Sequence, residues 1–125
     1  EWTPIQMFVE NNYTQALAGM KLYDALLVNT MIEGMNLVAK EGPVVNNRDG
    51  VLVISRTSGA YHQLAKGALS VSPTDIEGTM EGLHKAITMP QENRKKMAST
   101  LTESICREDI THWISRQLED IAKLL

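Results

Sequence analysis

Two runs of consecutive apolar residues, Ala25-Leu26-Leu27-Val28 and Val51-Leu52-Val53-Ile54, constrain the fold of this chain more than any other feature. A strand with one wet face alternates apolar and polar side chains. A run without that alternation predicts a strand covered on both faces, as in a parallel sheet lying between helices. The segments around these runs have helical spacing. Residues 14–22 bring Ala16, Leu17 and Met20 to one face, with Tyr23 just beyond. A polar, glycine-containing turn from Asn29 to Gly34 follows the first run, and a helix is expected to start close to Asn36. After the second run, the turn Ser55 to Gly59 leads into a short helix over Ala60–Leu64, and Ala68–Val71 reads as a weaker strand. A still earlier run, Ile5-Gln6-Met7-Phe8-Val9, is bounded by Pro4 and Asn11-Asn12 and also reads as a strand.

Three helices are expected after the last strand. Thr74-Asp75-Ile76-Glu77 fits a capping box, in which the Thr74 hydroxyl bonds the Glu77 amide and the Glu77 carboxylate reaches back. The helix it opens carries Ile76, Met80, Leu83 and Ile87 on one side. Pro90 suits the first turn of the next helix, where its missing N–H costs nothing. From about Asp109, Ile110, Trp113, Ile114, Leu118, Ile121 and Leu125 form an apolar stripe, with Trp113 as its expected core anchor. The methionines at 7, 20, 80, 89 and 97 are expected to fill the core. The whole pattern predicts an α/β class: a Rossmann-like three-layer domain with a parallel sheet and C-terminal helices. Ligands of such sheets bind at the carboxyl ends of the strands, here the turns after Val28 and Ile54.

Composition narrows the function classes. The 125 residues, 43% of them hydrophobic, suffice for one core and not for two. With a formal charge of -3 and a single dense basic stretch, Arg94-Lys95-Lys96, no nucleic-acid partner is expected. That stretch lies in a polar helical pattern and reads as a solvated face. Cys106 is the one cysteine, so no internal disulfide or cysteine-based zinc site can form, and a reducing, cytoplasmic setting fits best. No apolar run approaches the ~20 residues that span a bilayer, so no membrane partner is expected. The opening Glu1-Trp2-Thr3-Pro4 has no Met and no signal-peptide pattern, and reads as the start of a fragment of a longer protein. His62, His84 and His112 are dispersed, which argues against a metal site; no cofactor is expected. His62 reads as an ordinary surface histidine. Ser55 and Ser58 lack the Gly-x-Ser-x-Gly setting of a nucleophile elbow.

The stretch Glu33-Gly34-Met35-Asn36-Leu37-Val38-Ala39-Lys40-Glu41 carries the chemistry. It follows a buried strand and enters a helix, whose first amides have no internal partners and sit at the positive end of the helix dipole. Amides of about Met35 to Val38 would point at an anion beyond the sheet, and a diphosphate fits there. Gly34 would let the backbone turn sharply and approach a ligand. Glu41 lies one turn past Leu37, roughly 5.4 Å of rise away, where its carboxylate could accept from a ribose diol. Geometry alone does not separate this from an ordinary strand-to-helix turn with a solvated Glu41.

The residues themselves do more. Glu33 to Glu41 resembles the Asp-Gly-Met-Asn-Leu-Val-Ala-Lys-Glu signature of the trehalose-6-phosphate synthase family, with one change at its first position. Tyr23-Asp24-Ala25-Leu26-Leu27-Val28 resembles the strand before that signature. Gly50 to Ser55 with Gly59-Ala60 resembles the next strand and turn, and Val71 to Gly78 the start of the following helix. Ala86-Ile87-Thr88-Met89-Pro90 and the closing helix with Trp113 also fit. The resemblance implies half of a GT-B fold: residues 1–125 as the C-terminal part of a nucleotide-sugar-binding domain. It implies a retaining glycosyltransferase that takes glucose from UDP-glucose to glucose 6-phosphate. The acceptor would be held by an N-terminal domain that is not in this sequence.

Carried over by position, Glu33, Gly34, Met35 and Asn36 would contact the donor sugar, with Glu33 closest to the chemistry. Leu37 and Val38 would hold the diphosphate and Glu41 the ribose. Glu33 departs from the family Asp by one methylene, and a misplacement of ~1 Å can cost ~10²-fold in rate. Pro43, just past Glu41, is expected to end or kink the helix there. A synthase with another acceptor, a pseudo-glycosyltransferase and a non-catalytic nucleotide-sugar-binding module remain alternatives at this point.

Overall fold

The computed structural model describes residues 2–124. After an irregular opening segment the chain runs through α1 (Tyr13–Leu22), β1 (Ala25–Val28), α2 (Leu37–Val45), β2 (Val51–Ser55), α3 (Tyr61–Leu64) with a 3-10 turn at Ala65–Gly67, and β3 (Leu69–Val71). It closes with α4 (Ile76–Thr88), α5 (Gln91–Arg107) and α6 (Ile110–Ala122). The strands form one parallel sheet in the order β1-β2-β3. Leu26 pairs with Leu52 and Val28 with Ile54, while Ile54 in turn pairs with Ser70.

All five residues of β2 are buried, as its unbroken apolar run predicts for a central parallel strand. Its side chains point alternately to two clusters. Leu52 and Ile54 join Val28, Ala39 of α2, Leu64 of α3 and Leu101 of α5 on one face. Val51 and Val53 join Val71 and Ala86 of α4 on the other. Helices therefore cover both faces, and the three-layer α/β arrangement holds. Fully burying a side chain of this size is worth about 1.5–3 kcal/mol, so β2 is the thermodynamic spine of the chain. β1 is less covered than its sequence predicts: Leu27 is partly exposed, because β1 lies at the edge of the sheet.

Several expectations are corrected. Residues 5–9 form no strand, and Ile5, Met7, Phe8 and Val9 are exposed; among the described residues no strand edge pairs with them. Pro43 does not stop α2, which continues to Val45 with Gly42 and Pro43 buried. The last turn is held from outside the helix. A Cβ on Gly42 would lie 2.6 Å from Leu26 Cδ2, and Asn46 Nδ2 donates to the carbonyls of Met20 and Tyr23. This packing outweighs the hydrogen bond that proline forfeits.

The capping box expected at Thr74–Glu77 does not form; the N-cap lies one residue later and Gly78, three residues on, has no side chain to reach back. Asp75, not Thr74, is the N-cap and accepts from the Gly78 amide at 2.9 Å. The apolar side expected for α4 is also rotated. Ile76, Met80 and Ile87 are exposed, while Ala86 and partly Leu83 pack on the sheet. Gly82 makes that approach close, since a Cβ there would stand 3.0 Å from Val71 Cγ1.

Arg94 is no solvated residue. Its side chain is 13% exposed and pairs with Asp24 at 3.3 Å, while Lys95 and Lys96 do face solvent. Arg48 shares the same Asp24 oxygen at 3.2 Å. This cluster ties α5 to the turns that precede β1 and β2, at the end of the sheet opposite the strand carboxyl ends. Tyr23 lies beside it, and burial pushes its hydroxyl pKa well above the ordinary tyrosine value.

α6 starts where expected, with Asp109 accepting from the His112 amide at 2.8 Å. Its stripe is not core, however: no residue of α6 is buried, and Trp113 is 53% exposed. Leu125, the last residue of that stripe, lies outside the described residues. Met20 is buried and Met89 and Met97 pack against the second cluster, but Met7 and Met80 are exposed.

Candidate functional site

Two loops meet at the carboxyl ends of β1 and β2. The first, residues 29–36, leads into α2; the second, residues 56–60, leads into α3. Ser55, fully buried at the end of β2, donates through Oγ to the Thr30 carbonyl at 2.8 Å. Thr57 Oγ1 donates to the same carbonyl at 2.9 Å. Further along, Glu33 and Ser58 form an isolated parallel bridge, and the Gly59 amide donates to the Glu33 carbonyl at 3.2 Å. The approach is close enough to require glycine: a Cβ on Gly59 would lie 1.8 Å from the Gly34 carbonyl oxygen. Ser58 Oγ donates to Glu33 Oε1 at 3.3 Å.

The start of α2 has the architecture expected of it. Asn36 is the N-cap and accepts from the Ala39 amide at 2.8 Å. The amides of Leu37 and Val38, earlier in that turn, have no carbonyl one turn back within the helix. The Leu37 and Val38 side chains are exposed, so this end of the helix opens to solvent at the carboxyl edge of the sheet. Partial positive charge from the aligned peptide dipoles is concentrated there. Glu41 follows one turn later. It is half-buried beside a cavity of about 210 Å³ that Tyr13, Leu17 and Val44 also line.

Glu33 and the end of α2 are thus on one edge of the sheet, with Met35 and Asn36 between them. Gly34 behaves differently from expectation. No described glycine has a positive φ, and a Cβ on Gly34 would meet nothing within 4 Å. No sharp left-handed turn calls for glycine at this position, and among the described residues no atom beyond its chain neighbours lies within 4 Å of where a Cβ would stand.

Two larger cavities lie nearby. One of about 530 Å³ sits between α3 and α5, against Gly59, His62, Lys66 and Arg107. His62 is exposed there, with its ring edge-to-face to Tyr61 at 5.9 Å. The other, about 500 Å³ and apolar, runs from Met35 and Leu37 to Ile105, Ile110 and Trp113. Neither contains Glu33 or Glu41. The open edge at the α2 N-terminus lies outside the first of these cavities and borders the second through Met35 and Leu37.

The family model for glycosyltransferase family 20 matches residues 1–123. The chain belongs to glycosyltransferase family 20. Within the family it is similar to the trehalose-6-phosphate synthase of Sinorhizobium fredii, 36% identical over 97% of this chain and 26% of that protein. The trehalose-6-phosphate synthase of Sodalis glossinidius is also 36% identical, over 99% of this chain and 27% of its own length. Among solved structures, the UDP-forming alpha,alpha-trehalose-phosphate synthase of Burkholderia xenovorans, in complex with glucose-6-phosphate, superposes with a TM-score of 0.87 at 31% identity. It is matched over 97% of this chain and 27% of that one. An E. coli structure bound with UDP-2-fluoro glucose gives 0.82 at 32% identity, over 95% of this chain and 27% of that one. The resemblance read from Glu33–Glu41 and its flanks therefore holds along the chain. The chain spans about a quarter of the length of these family 20 relatives.

Sequence reading pointed to the turns after Val28 and after Ile54 but did not foresee that Ser58 and Gly59 meet Glu33 and Gly34. Ser58 and Gly59 lie 25 residues beyond Glu33 and Gly34, and no local pattern links the pairs. The available signal was the run of small residues Ser58-Gly59-Ala60 directly after a buried strand, where backbones approach closely.

Proposed function

We propose that this chain is the C-terminal, nucleotide-sugar-binding part of a retaining GT-B glycosyltransferase, a UDP-forming alpha,alpha-trehalose-phosphate synthase. The complete protein would transfer glucose from UDP-glucose to glucose 6-phosphate. The observation that carries this reading is the open N-terminus of α2 at the carboxyl edge of the parallel sheet, with Glu33 in the loop before it and Glu41 one turn into the helix. The names of the family 20 relatives support the reaction.

In this assignment the Leu37 and Val38 amides receive the diphosphate. As the glycosidic bond breaks, negative charge grows on the departing UDP, and fixed amides already aimed at it stabilise that charge without reorganising. Glu41 accepts from the ribose hydroxyls. Glu33, with the backbone of Gly34, Met35 and Asn36, holds the donor glucose. Open space beside Gly34 suits a sugar lying against the backbone. The acceptor phosphate would be bound by parts of the protein beyond this chain. A cytoplasmic setting belongs to the same reading and accords with an exposed, unpaired Cys106.

Two substitutions in the full-length protein test the assignment. Hydrogen bonds to charged groups contribute about 1.5–3 kcal/mol. Glu41→Gln is therefore expected to weaken UDP binding roughly ten- to a hundredfold. Glu33→Gln is expected to leave UDP binding nearly unchanged, since UDP carries no glucose, and to lower turnover of UDP-glucose. Calorimetric titration of UDP, set beside steady-state rates, reads both. Equal loss of UDP affinity in the two variants would reverse the sugar and ribose ends; no change in either would reduce the stretch to a structural turn.

A further inference from the structure

We propose that Ser58 is the positioning residue for the Glu33 carboxylate, confining the outer rotatable bond of that side chain. The proposal rests on the donor-site reading of Glu33 and adds a residue to it. Ser58 is 1% exposed, so its hydroxyl has no water to bond, and a buried hydroxyl requires a partner. The acceptor it finds is Glu33 Oε1 at 3.3 Å.

Ser58 is itself rigidly held. Its amide donates to the Ser55 carbonyl at 3.2 Å, and its carbonyl accepts from the Tyr61 amide at 2.9 Å. The loop below it is pinned by Ser55 and Thr57 on the Thr30 carbonyl. Glu33 is held against the same loop by the Gly59 amide on its carbonyl. Its main chain is thus placed independently of its side chain. What remains free is the side chain, which has one more rotatable bond than aspartate and loses rotamer entropy when ordered. A donor on a fixed loop confines that extra bond. At 3.3 Å the contact is longer than the roughly 2.5–3.0 Å of an ordinary O–H···O bond, so it is a weak one. Ser58 never touches the sugar in this scheme; it acts by setting where the carboxylate waits.

The test is a double-mutant cycle in the full-length protein: Ser58→Ala, Glu33→Asp and the two combined. Affinities for UDP and UDP-glucose, kcat, KM and melting temperature are measured for each. Ser58→Ala is expected to lower kcat/KM for UDP-glucose roughly three- to tenfold, the worth of one such hydrogen bond. UDP affinity and melting temperature should stay at the parent values. In the Glu33→Asp background the carboxylate is withdrawn by about one C–C bond, ~1.5 Å, so adding Ser58→Ala should then change nothing.

A Ser58→Ala penalty of equal size in both backgrounds overturns the proposal, as does a parallel fall in UDP affinity or a silent Ser58→Ala. Glu33→Gln run alongside separates the two levels of failure. If Glu33→Gln is also silent, the donor-sugar assignment of Glu33 fails; if it lowers turnover while Ser58→Ala does not, only the positioning role fails.

Discussion

A methyl group on Gly59 has no room, whereas one on Gly34 does. The added Cβ at 59 would sit 1.8 Å from the Gly34 oxygen and 2.7 Å from its carbonyl carbon, and both atoms are backbone. Relief requires one of the two loops to move. Overpacking of this kind costs about 1–3 kcal/mol, so Gly59→Ala is expected to destabilise the chain by that amount in urea unfolding. Gly34→Ala meets open space and has no positive φ to lose, so its stability should stay within about 0.5 kcal/mol of the parent. If the donor sugar lies against this backbone, Gly34→Ala should nonetheless weaken UDP-glucose binding, and the pair of measurements separates a glycine needed by the fold from one needed by the ligand. The Glu33–Glu41 stretch was legible because a helix start is written locally: Asn36 accepts from the amide of Ala39, three residues on. Ser58 was not, because its partner is 25 residues away and a serine carries no sign of which carboxylate it will meet.

Among the elements, α5 and α6 carry opposite lessons about apolar residues in helices. α5 is polar over much of its length, yet Leu101 is 1% exposed and packs on Leu64 and the β2 face. α6 has the cleaner stripe and no buried residue. A stripe predicts that a helix has something to bury; it does not say that the neighbour lies within the same stretch of chain. Leu101→Ala should therefore cost about 2–5 kcal/mol in the 125-residue chain, and Trp113→Ala less than about 1 kcal/mol. Chemical unfolding of the two variants checks the ranking, and a Trp113→Ala loss equal to that of Leu101→Ala would mean that α6 packs more tightly than its exposure indicates. The strands divide the same way. β2 was readable because burial on both faces removes polar residues from its sequence. Residues 5–9 have the composition of a strand, but a strand exists only when paired, and pairing is not a local property.

Considered as a whole, the molecule has two differently built ends. At one, Asp24 binds Arg48 and Arg94 and ties α5 to the turns before the strands. At the other, the loops after β1 and β2 carry Glu33 and Ser58 and lead into the N-terminus of α2, with Glu41 one turn further on. The second end is the one proposed to hold the nucleotide sugar, and it belongs to a chain about a quarter the length of its family 20 relatives. Since an acceptor site is needed as well, residues 1–125 alone are expected to show no transferase activity. UDP release from UDP-glucose should equal that of a heat-inactivated control; release above it would show that the chain is catalytically sufficient.

Local spacing and residue type determined the α/β class, the three strands of the sheet, the start of α2 and the family. Each depends on periodicity or on a contiguous run of residues, which the linear order preserves. Tertiary structure decided the rest. It left residues 5–9 unpaired, carried α2 through Pro43, turned Arg94 inward onto Asp24, left the α6 stripe in solvent, and brought Ser58 and Gly59 against Glu33 and Gly34. The physical reason is the same throughout: these outcomes are set by burial and hydrogen bonding between segments distant in the chain, and their energies depend on which neighbour the fold supplies.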